Sequence, residues 1–297
     1  MMIPCSLDRT INVTYLEAPL VEVWRSIATP EGMNTYLTYT AEKTGSSKDI
    51  RVGDVYTLCY GDILNHPVVT ECRYGEVFAV RDRYESIAPD GRSDRFDVQT
   101  RFTLAQEGAF VKLTLEVTGF EPDTYGQWFR ECLEMGWRRS LMNLKSVVEL
   151  GMDLRAELFS YPRLGVVNCT VNADQSAETG VAEGEGNYLM EVFPNSPAAA
   201  AGLRKGDVIV SFDETPTPNY SEFVRVISSY HHKKERIRIG YIRDGARKET
   251  PALLSVEETF TGLVDVETET YDDIRRKRET LARQRSASGS LWKQKQT

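Results

Sequence analysis

The sequence predicts an α+β protein with two folded units. In the first unit an antiparallel sheet wraps around a long C-terminal helix, and the second is a small β-barrel or sandwich with two helices. Alternating apolar residues with turn signals between them occupy residues 52–117, and an unbroken apolar helical stripe follows over 125–150. Short strands and helices recur over 164–245, and the length of 297 residues suits two domains.

The first unit begins with a strand and two short helices. Residues 10–16 alternate apolar and polar side chains, which is the pattern of a half-buried strand. Pro19 begins a helix. Thr29 and Pro30 then end it and supply the N-cap and first-turn proline of a second helix.

The long helix closes this unit. Its apolar stripe follows helical spacing, and Gly151 is a suitable C-terminal stop. The stripe consists of Phe129, Leu133, Trp137, Leu141, Leu144 and Val148. Because one face of the preceding strands is also apolar, the sheet and this helix are expected to enclose a common core.

Several short signatures in this order resemble the SRPBCC (START-related) superfamily, especially the branch related to the C-terminal domain of heat-shock protein 90 ATPase activators. The signatures are Val23-Trp24, Thr29-Pro30-Glu31-Gly32-Met33, Gly136-Trp137, Leu141, Leu144-Lys145 and Glu149-Leu150-Gly151. The resemblance covers about residues 8–155 and implies a helix-grip fold. It also implies an apolar cavity between helix and sheet, which members of the superfamily use for lipids or hydrophobic metabolites.

Six residues are candidates to line that cavity: Trp24, Tyr36, Phe102, Phe129, Leu133 and Trp137. The same side chains would serve equally well in a filled core, because a core and a cavity both require an apolar stripe. The sequence therefore leaves the choice between cavity and core open.

The second unit has clear helix and turn signals of its own. Ser196 is an N-cap, Pro197 occupies the first helical turn, and Gly202 ends that helix. Residues 208–212 form an apolar strand, and a further helix is predicted over 221–230. Asp244-Gly245 marks a hairpin turn.

Four motifs in this unit resemble a PDZ domain, in the order found in bacterial HtrA-type proteases. They are Leu164-Gly165-Val166-Val167, the stretch from Asn195-Ser196-Pro197-Ala198 to Ala201-Gly202-Leu203, Lys205-Gly206-Asp207-Val208-Ile209, and Arg243-Asp244-Gly245. The strand that completes the sheet is expected after Gly245, because residues 152–160 read as the end of a helix.

A PDZ domain takes the C-terminal end of a partner protein as an extra strand, and loop amides receive the terminal carboxylate. The resemblance assigns this groove to Leu164, Gly165, Val166, Val167, Phe223 and Ile227. The long polar and acidic segment 168–187 is expected to cover the groove or to disfavour acidic peptides.

The predicted organisation is thus a helix-grip domain at 1–155, a PDZ-like domain at 156–258 and a partly helical, basic, mobile tail at 259–297. Residues 271–297 carry a charge of +5 within a total of −8, which leaves −13 for residues 1–270. An acidic body argues against nucleic acid as a partner. With neither a signal peptide pattern nor an apolar run of about 18 residues, we expect a cytoplasmic protein without a transmembrane segment.

Catalytic and metal-binding motifs are absent from the sequence. It contains no G-x-S-x-G, H-E-x-x-H or P-loop pattern. His66 and the His231-His232 pair are expected to bind no metal, and no cofactor is predicted. The five cysteines lack a C-x-x-C pair and are expected to be reduced: Cys5, Cys59, Cys72, Cys132 and Cys169.

These observations favour a non-catalytic adaptor. The first unit would hold a hydrophobic small molecule, a lipid or a client protein, and the PDZ-like unit would hold a C-terminal peptide. An enzyme that acts on a hydrophobic metabolite within the first unit is the first alternative. A co-chaperone of a heat-shock ATPase, suggested by the family resemblance, is the second.

Overall fold

The computed structural model describes residues 8–38, 40–45, 49–60, 64–87, 93–159, 162–230 and 235–255. These residues form two compact units, of which the first ends at Phe159 and the second covers 162–255. The predicted basic tail and the His231-His232 pair lie outside the described residues. No helix within the described ranges is both long enough and apolar enough to cross a membrane.

The first unit contains an eight-stranded antiparallel sheet. Its strands are β1 (Arg9–Leu16), β2 (Thr40–Lys43), β3 (Tyr56–Cys59), β4 (Leu64–Asn65), β5 (Val68–Arg73), β6 (Val77–Ile87), β7 (Ser93–Glu107) and β8 (Phe110–Thr118). The strand order is β1-β8-β7-β6-β4-β3-β2, with β5 paired to β6. The predicted run of antiparallel strands is confirmed, and β2 is an additional strand that the sequence reasoning missed.

Four helices accompany this sheet: α1 (Leu20–Ala28), α2 (Pro30–Tyr36), α3 (Thr124–Leu150) and α4 (Arg155–Phe159). The Thr29 hydroxyl accepts a 3.0 Å hydrogen bond from the Gly32 N–H, as expected for the N-cap of α2. Gly151 has φ +69° and ends α3. The long helix packs into the sheet, so the predicted helix-grip class is confirmed.

β1 is half-buried as predicted, but its buried face is the polar one. Thr10 and Asn12 are 4% and 8% exposed, whereas Ile11 and Val13 are 54% and 50% exposed. The register with β8 explains this, because Thr10 and Asn12 lie opposite buried residues of that strand and therefore share its inward face. The alternation located the strand without indicating which face is buried.

The second unit has six strands and three helices. The strands are β9 (Val166–Thr170), β10 (Asn187–Val192), β11 (Val208–Phe212), β12 (Thr215–Pro216), β13 (Ile237–Arg243) and β14 (Ala246–Ala252). The helices are α5 (Ala173–Thr179), α6 (Pro197–Ala200) and α7 (Tyr220–Ser228). The sheet order is β14-β13-β11-β10-β9, with β12 paired to β11.

Two details of the second unit differ from the prediction. Over the part of the chain that the structure describes, the sheet is open and does not close into a barrel. The third helix, α5, lies in the segment 168–187, which the sequence indicated as long, polar and acidic but without a helix. A capping box between Asn172 and Gln175 begins α5, so the polar residues there form helix ends.

The strand that follows Gly245 is confirmed as part of the sheet. β14 pairs along its whole length with β13. Asp244 and Gly245 at the turn have φ +54° and +71°, the positive values that a two-residue hairpin of this type requires. Residues 152–160 are not simply the end of α3, because Gly151 breaks the chain direction and α4 follows separately.

Candidate functional sites

The predicted groove lies along β9, the last strand in the sheet order. Within the described residues β9 pairs with β10 on one side, and α7 lies against it. The Tyr220 N–H at the start of α7 donates a 3.0 Å hydrogen bond to the Thr170 hydroxyl at the end of β9. A strand edge beside a helix is the geometry that receives a peptide as an added strand.

In the loop before β9, two backbone carbonyl groups accept hydrogen bonds, whereas the N–H groups of the same residues have no acceptor in the part of the chain that the structure describes. The Leu164 carbonyl accepts a 2.9 Å hydrogen bond from the Ala198 N–H, and the Gly165 carbonyl accepts one of 3.0 Å from the Phe193 N–H. Among the described residues, no acceptor is found for the N–H groups of Leu164 and Gly165. Leu164 is only 2% exposed, and buried amides need a partner.

Glycine at position 165 has a structural reason. Its φ is +78°, in the left-handed region that L side chains rarely adopt. This conformation turns the chain sharply from Leu164 into β9 at Val166. The narrow loop that the family resemblance requires is therefore present.

A buried asparagine network links β9 to the start of α7. The Asn168 side-chain amide donates to Asn187 Oδ1 at 3.3 Å. Asn187 Nδ2 in turn donates to the Thr217 carbonyl at 2.8 Å and to the Asn219 carbonyl at 3.4 Å. Because Asn219 is the N-cap of α7, this network fixes the helix relative to the strand.

The other four predicted groove residues lie on α7 and β9, the helix and strand that border the groove. Phe223 and Ile227 are buried one turn apart on α7, and the Phe223 ring packs 5.3 Å from that of Phe212. Val166 is half-buried at the start of β9, and Val167 is buried. Sequence reasoning missed Asn168 and Asn187, because buried polar residues in strands leave no periodic signal.

Comparison with known families decides the identity of this unit. Residues 162–254 match the PDZ domain family. This part of the chain is a PDZ domain. The magnetosome formation protease MamE of Paramagnetospirillum magneticum is 39% identical over 82 residues, which are 28% of this chain and 11% of MamE. The periplasmic serine endoprotease DegP of Escherichia coli is 28% identical over 124 residues, which are 41% of this chain and 24% of DegP.

The chain thus spans no more than about a quarter of the length of either of these two relatives. For the first unit, one similar solved structure is the Aha1 dimer from Colwellia psychrerythraea. It is 14% identical, covers 48% of this chain and 97% of its own, and has a TM-score of 0.37.

Outside the PDZ domain, the interior of the first unit is rich in aromatic side chains. Trp24, Phe78, Phe102 and Trp137 form a continuous series, with centroid distances of 6.3, 6.3 and 5.5 Å between successive rings. Among the six predicted lining residues, Trp24, Tyr36, Phe102 and Trp137 are buried in this core, while Phe129 and Leu133 are partly buried against it.

Several polar atoms in this interior have no partner. Tyr36 Oη and Trp137 Nε1, both from predicted lining residues, are buried without a hydrogen bond within the described ranges. The same holds for Asp82 Oδ2, Asn12 Nδ2 and Ser146 Oγ. Such atoms are costly to bury unpaired, and they are therefore suited to hold water or a ligand.

Asp82 is a buried carboxyl group that the sequence reasoning missed. It lies on β6, and its side chain accepts a 2.7 Å hydrogen bond from Asn65 Nδ2. Burial raises its pKa to about 6, while the Thr100 and Asn65 side chains lower it. Strand alternation between Arg81 and Arg83 could have indicated that Asp82 points inward.

A buried ion pair fixes α2 against the rest of this unit. The Arg155 guanidinium pairs with Asp153, and both side chains are almost fully buried. Arg155 Nη2 also donates to the Asn34 carbonyl at 3.1 Å, near the C-terminal end of α2. Asn143 Nδ2 on α3 donates to the Tyr36 carbonyl at 2.8 Å. These contacts position Tyr36 in the interior.

The described ranges contain no group of three potential metal ligands. His66 Nδ1 lies 3.4 Å from the Thr57 hydroxyl. Cys72, Cys132 and Cys169 are free thiols, and Cys5 lies outside the described residues. The buried Cys169 contacts the Gln175 side chain, which holds α5 against the sheet of the PDZ domain.

Proposed function

We propose that this protein is a non-catalytic adaptor that binds the C-terminal end of a partner polypeptide in its PDZ groove. The observation that carries the proposal is that the N–H groups of Leu164 and Gly165 have no acceptor among the described residues, directly before β9, the last strand in the sheet order. Two adjacent amide donors suit a terminal carboxylate, and the strand edge suits the residues that precede it.

The buried side chains of the groove favour an apolar last residue. Phe223 and Ile227 on α7 and Val167 on β9 are all nearly inaccessible to solvent. Among the side chains of these groove residues, none carries a charge that could pair with an ionic peptide side chain. We therefore propose that aliphatic or aromatic C-terminal residues bind in preference to charged ones.

For the first unit we propose the binding of an apolar small molecule between sheet and helix. The support comes from the aromatic interior and from the unpaired Tyr36 Oη and Trp137 Nε1 within it. A mainly apolar interior with a few polar groups is typical of small-molecule sites.

An enzyme is the second candidate, and Asp82 is the observation that favours it. A buried carboxyl group with a pKa of about 6 is suited to general acid–base work near neutral pH. A protease-related role is the third candidate for the whole protein; its support is that MamE and DegP, which this chain matches over 11% and 24% of their lengths, are named as proteases.

Two experiments on the full-length chain test the proposal. A display screen of random C-terminal peptides should select sequences with an apolar last residue. Native mass spectrometry of the purified protein should reveal a retained lipid-like or metabolite mass. If neither assay detects a bound molecule, the adaptor proposal is wrong.

A further inference from the structure

Asp82 lies within a small cluster of polar side chains in the mainly apolar interior of the first unit. Its side chain is on the inward face of β6, two residues from Tyr84, and the residue is 3% exposed. Asn65 Nδ2, on the neighbouring strand β4, donates a 2.7 Å hydrogen bond to one carboxylate oxygen, Asp82 Oδ1. The second oxygen, Oδ2, has no hydrogen bond of normal geometry among the described residues. The Thr100 side chain, which is likewise without such a bond there, is near enough to lower the pKa that burial raises.

Two tyrosines from different elements, Tyr60 and Tyr84, lie near this carboxyl group, and a third, Tyr36, lies near Tyr60. Tyr84 lies on β6 and Tyr60 directly follows β3; burial raises the pKa of both hydroxyls, and the charge of Asp82 raises it further. Tyr36 at the end of α2 interacts with Tyr60, and its own hydroxyl has no hydrogen-bond partner within the described ranges. The Tyr84 ring packs edge to face on Phe129, with centroids 5.5 Å apart.

Asp82 lacks a cationic partner within the described ranges. Its pKa is raised by burial and lowered by the Thr100 and Asn65 side chains, and no lysine or arginine contributes to the shift. The neighbouring Arg83 pairs instead with Asp97 at 3.0 Å and is half exposed. A buried carboxylate is normally paired with a cation, so this position lacks the positive charge that would stabilise it.

We propose that Asp82 and its tyrosines form a binding site for the protonated amine of an otherwise apolar ligand. The ammonium group would donate to Asp82 Oδ2 and lie against the electron-rich ring faces, while the hydrocarbon body contacts the aromatic core. This inference rests on the proposed binding of a small molecule in the first unit, and it adds the chemical class of that molecule.

Three probes of matched shape test the inference: 1-naphthylmethylamine, 1-naphthylmethanol and 1-naphthoate. Their affinities are measured by isothermal titration calorimetry on the full-length protein and on Asp82→Asn. The matched control is Asp97→Asn, which makes the same chemical change at a half-exposed aspartate. Tyrosine side chains remain protonated at neutral pH. Any change in the charge of this site at or below about pH 7.5 therefore comes from Asp82.

The wild-type protein should bind the amine at least about tenfold more tightly than the alcohol, with the carboxylate weakest. Asp82→Asn should reduce the amine preference to within about threefold, whereas Asp97→Asn should retain it. In the wild type the preference should also decrease as the pH falls below about 6, a readout that needs no variant.

The outcomes separate this inference from the proposal on which it rests. Equal affinity for amine and alcohol would overturn the amine site while leaving apolar ligand binding intact. Retention of the preference in Asp82→Asn would equally overturn it. If no probe binds, apolar ligand binding in the first unit is contradicted as well.

Discussion

The Leu164 carbonyl accepts a 2.9 Å hydrogen bond from the Ala198 N–H at the start of α6. This bond, with the one from Phe193 to Gly165, fixes the loop of the PDZ domain by its carbonyl groups. The N–H groups of Leu164 and Gly165 have no acceptor among the described residues. If the loop receives a peptide carboxylate as proposed, this fixed geometry would reduce the entropic cost of binding.

Gly165→Ala should weaken peptide binding about tenfold, because a Cβ at φ +78° strains the loop by about 1–2 kcal/mol and displaces its amides. Gly180→Ala is the control, since Gly180 ends α5 at φ +73° and has open space where a Cβ would lie. Both variants should lose similar stability, measured by chemical denaturation. Fluorescence polarisation with a displayed peptide should detect weaker binding only for Gly165→Ala; equal affinities would contradict the loop assignment.

Asn187→Ala should lower the free energy of unfolding of the PDZ domain by about 1–3 kcal/mol, because it removes hydrogen bonds to the Thr217 and Asn219 carbonyls in a buried position. It should also weaken peptide binding, since α7 is no longer held against β9. Denaturation and peptide titration check both effects. Unchanged peptide affinity in a destabilised variant would mean that the network does not set the groove.

Arg155→Ala should destabilise the first unit by about 3–5 kcal/mol, because Asp153 would remain buried without its counter-charge. The control is Arg138→Ala, which breaks the exposed pair with Glu134 and should cost under about 1 kcal/mol. Urea denaturation followed by tryptophan fluorescence measures both changes. Similar costs for the two variants would contradict the role assigned to the buried pair.

Asp82 should make the stability of the first unit dependent on pH. Its folded-state pKa is about 6 and its ordinary value is 3.8, so the folded protein keeps a proton that the unfolded chain releases. The contribution of Asp82 to stability is therefore fully present below about pH 4 and is lost as the pH rises through about 6. Relative to Asp82→Asn, the wild type should lose about 2 kcal/mol between pH 4 and pH 7.

Denaturant titrations of both proteins at several pH values measure this difference. Taking the difference between the two proteins removes the effects of other carboxyl groups, including Asp54, whose pKa is lowered by its contact with Lys43. A constant difference between pH 4 and pH 7 would indicate that Asp82 is not desolvated in the folded state.

Local signals in the sequence were sufficient for most helix ends and turns. Helix ends and turns depend on a few neighbouring residues, so they can be predicted without the tertiary structure. Examples are Thr29-Pro30, Gly151 and the Asp244-Gly245 turn. No local signal of this kind indicates which face of β1 points inward. It depends on the pairing with β8, which lies about 100 residues further along the chain.

The candidate sites required the tertiary structure for a similar reason. Tyr60 and Tyr84 come from separate parts of the chain, and no spacing in the sequence indicates that both lie near Asp82. The peptide groove could be placed only by family resemblance, because its donors are backbone amides, which every residue except proline possesses. Which of those amides lack a partner becomes visible only when all hydrogen bonds are known.

Receipt of a free carboxylate by the Leu164 and Gly165 amides is the central requirement of the proposed function. A peptide selected by display is synthesised twice, once with its C-terminal carboxylate and once as the C-terminal amide, and both are titrated into the full-length protein. The amide form should bind at least about tenfold more weakly, because it removes the charge that the unpaired N–H groups receive. Equal affinity of the two forms would contradict the account.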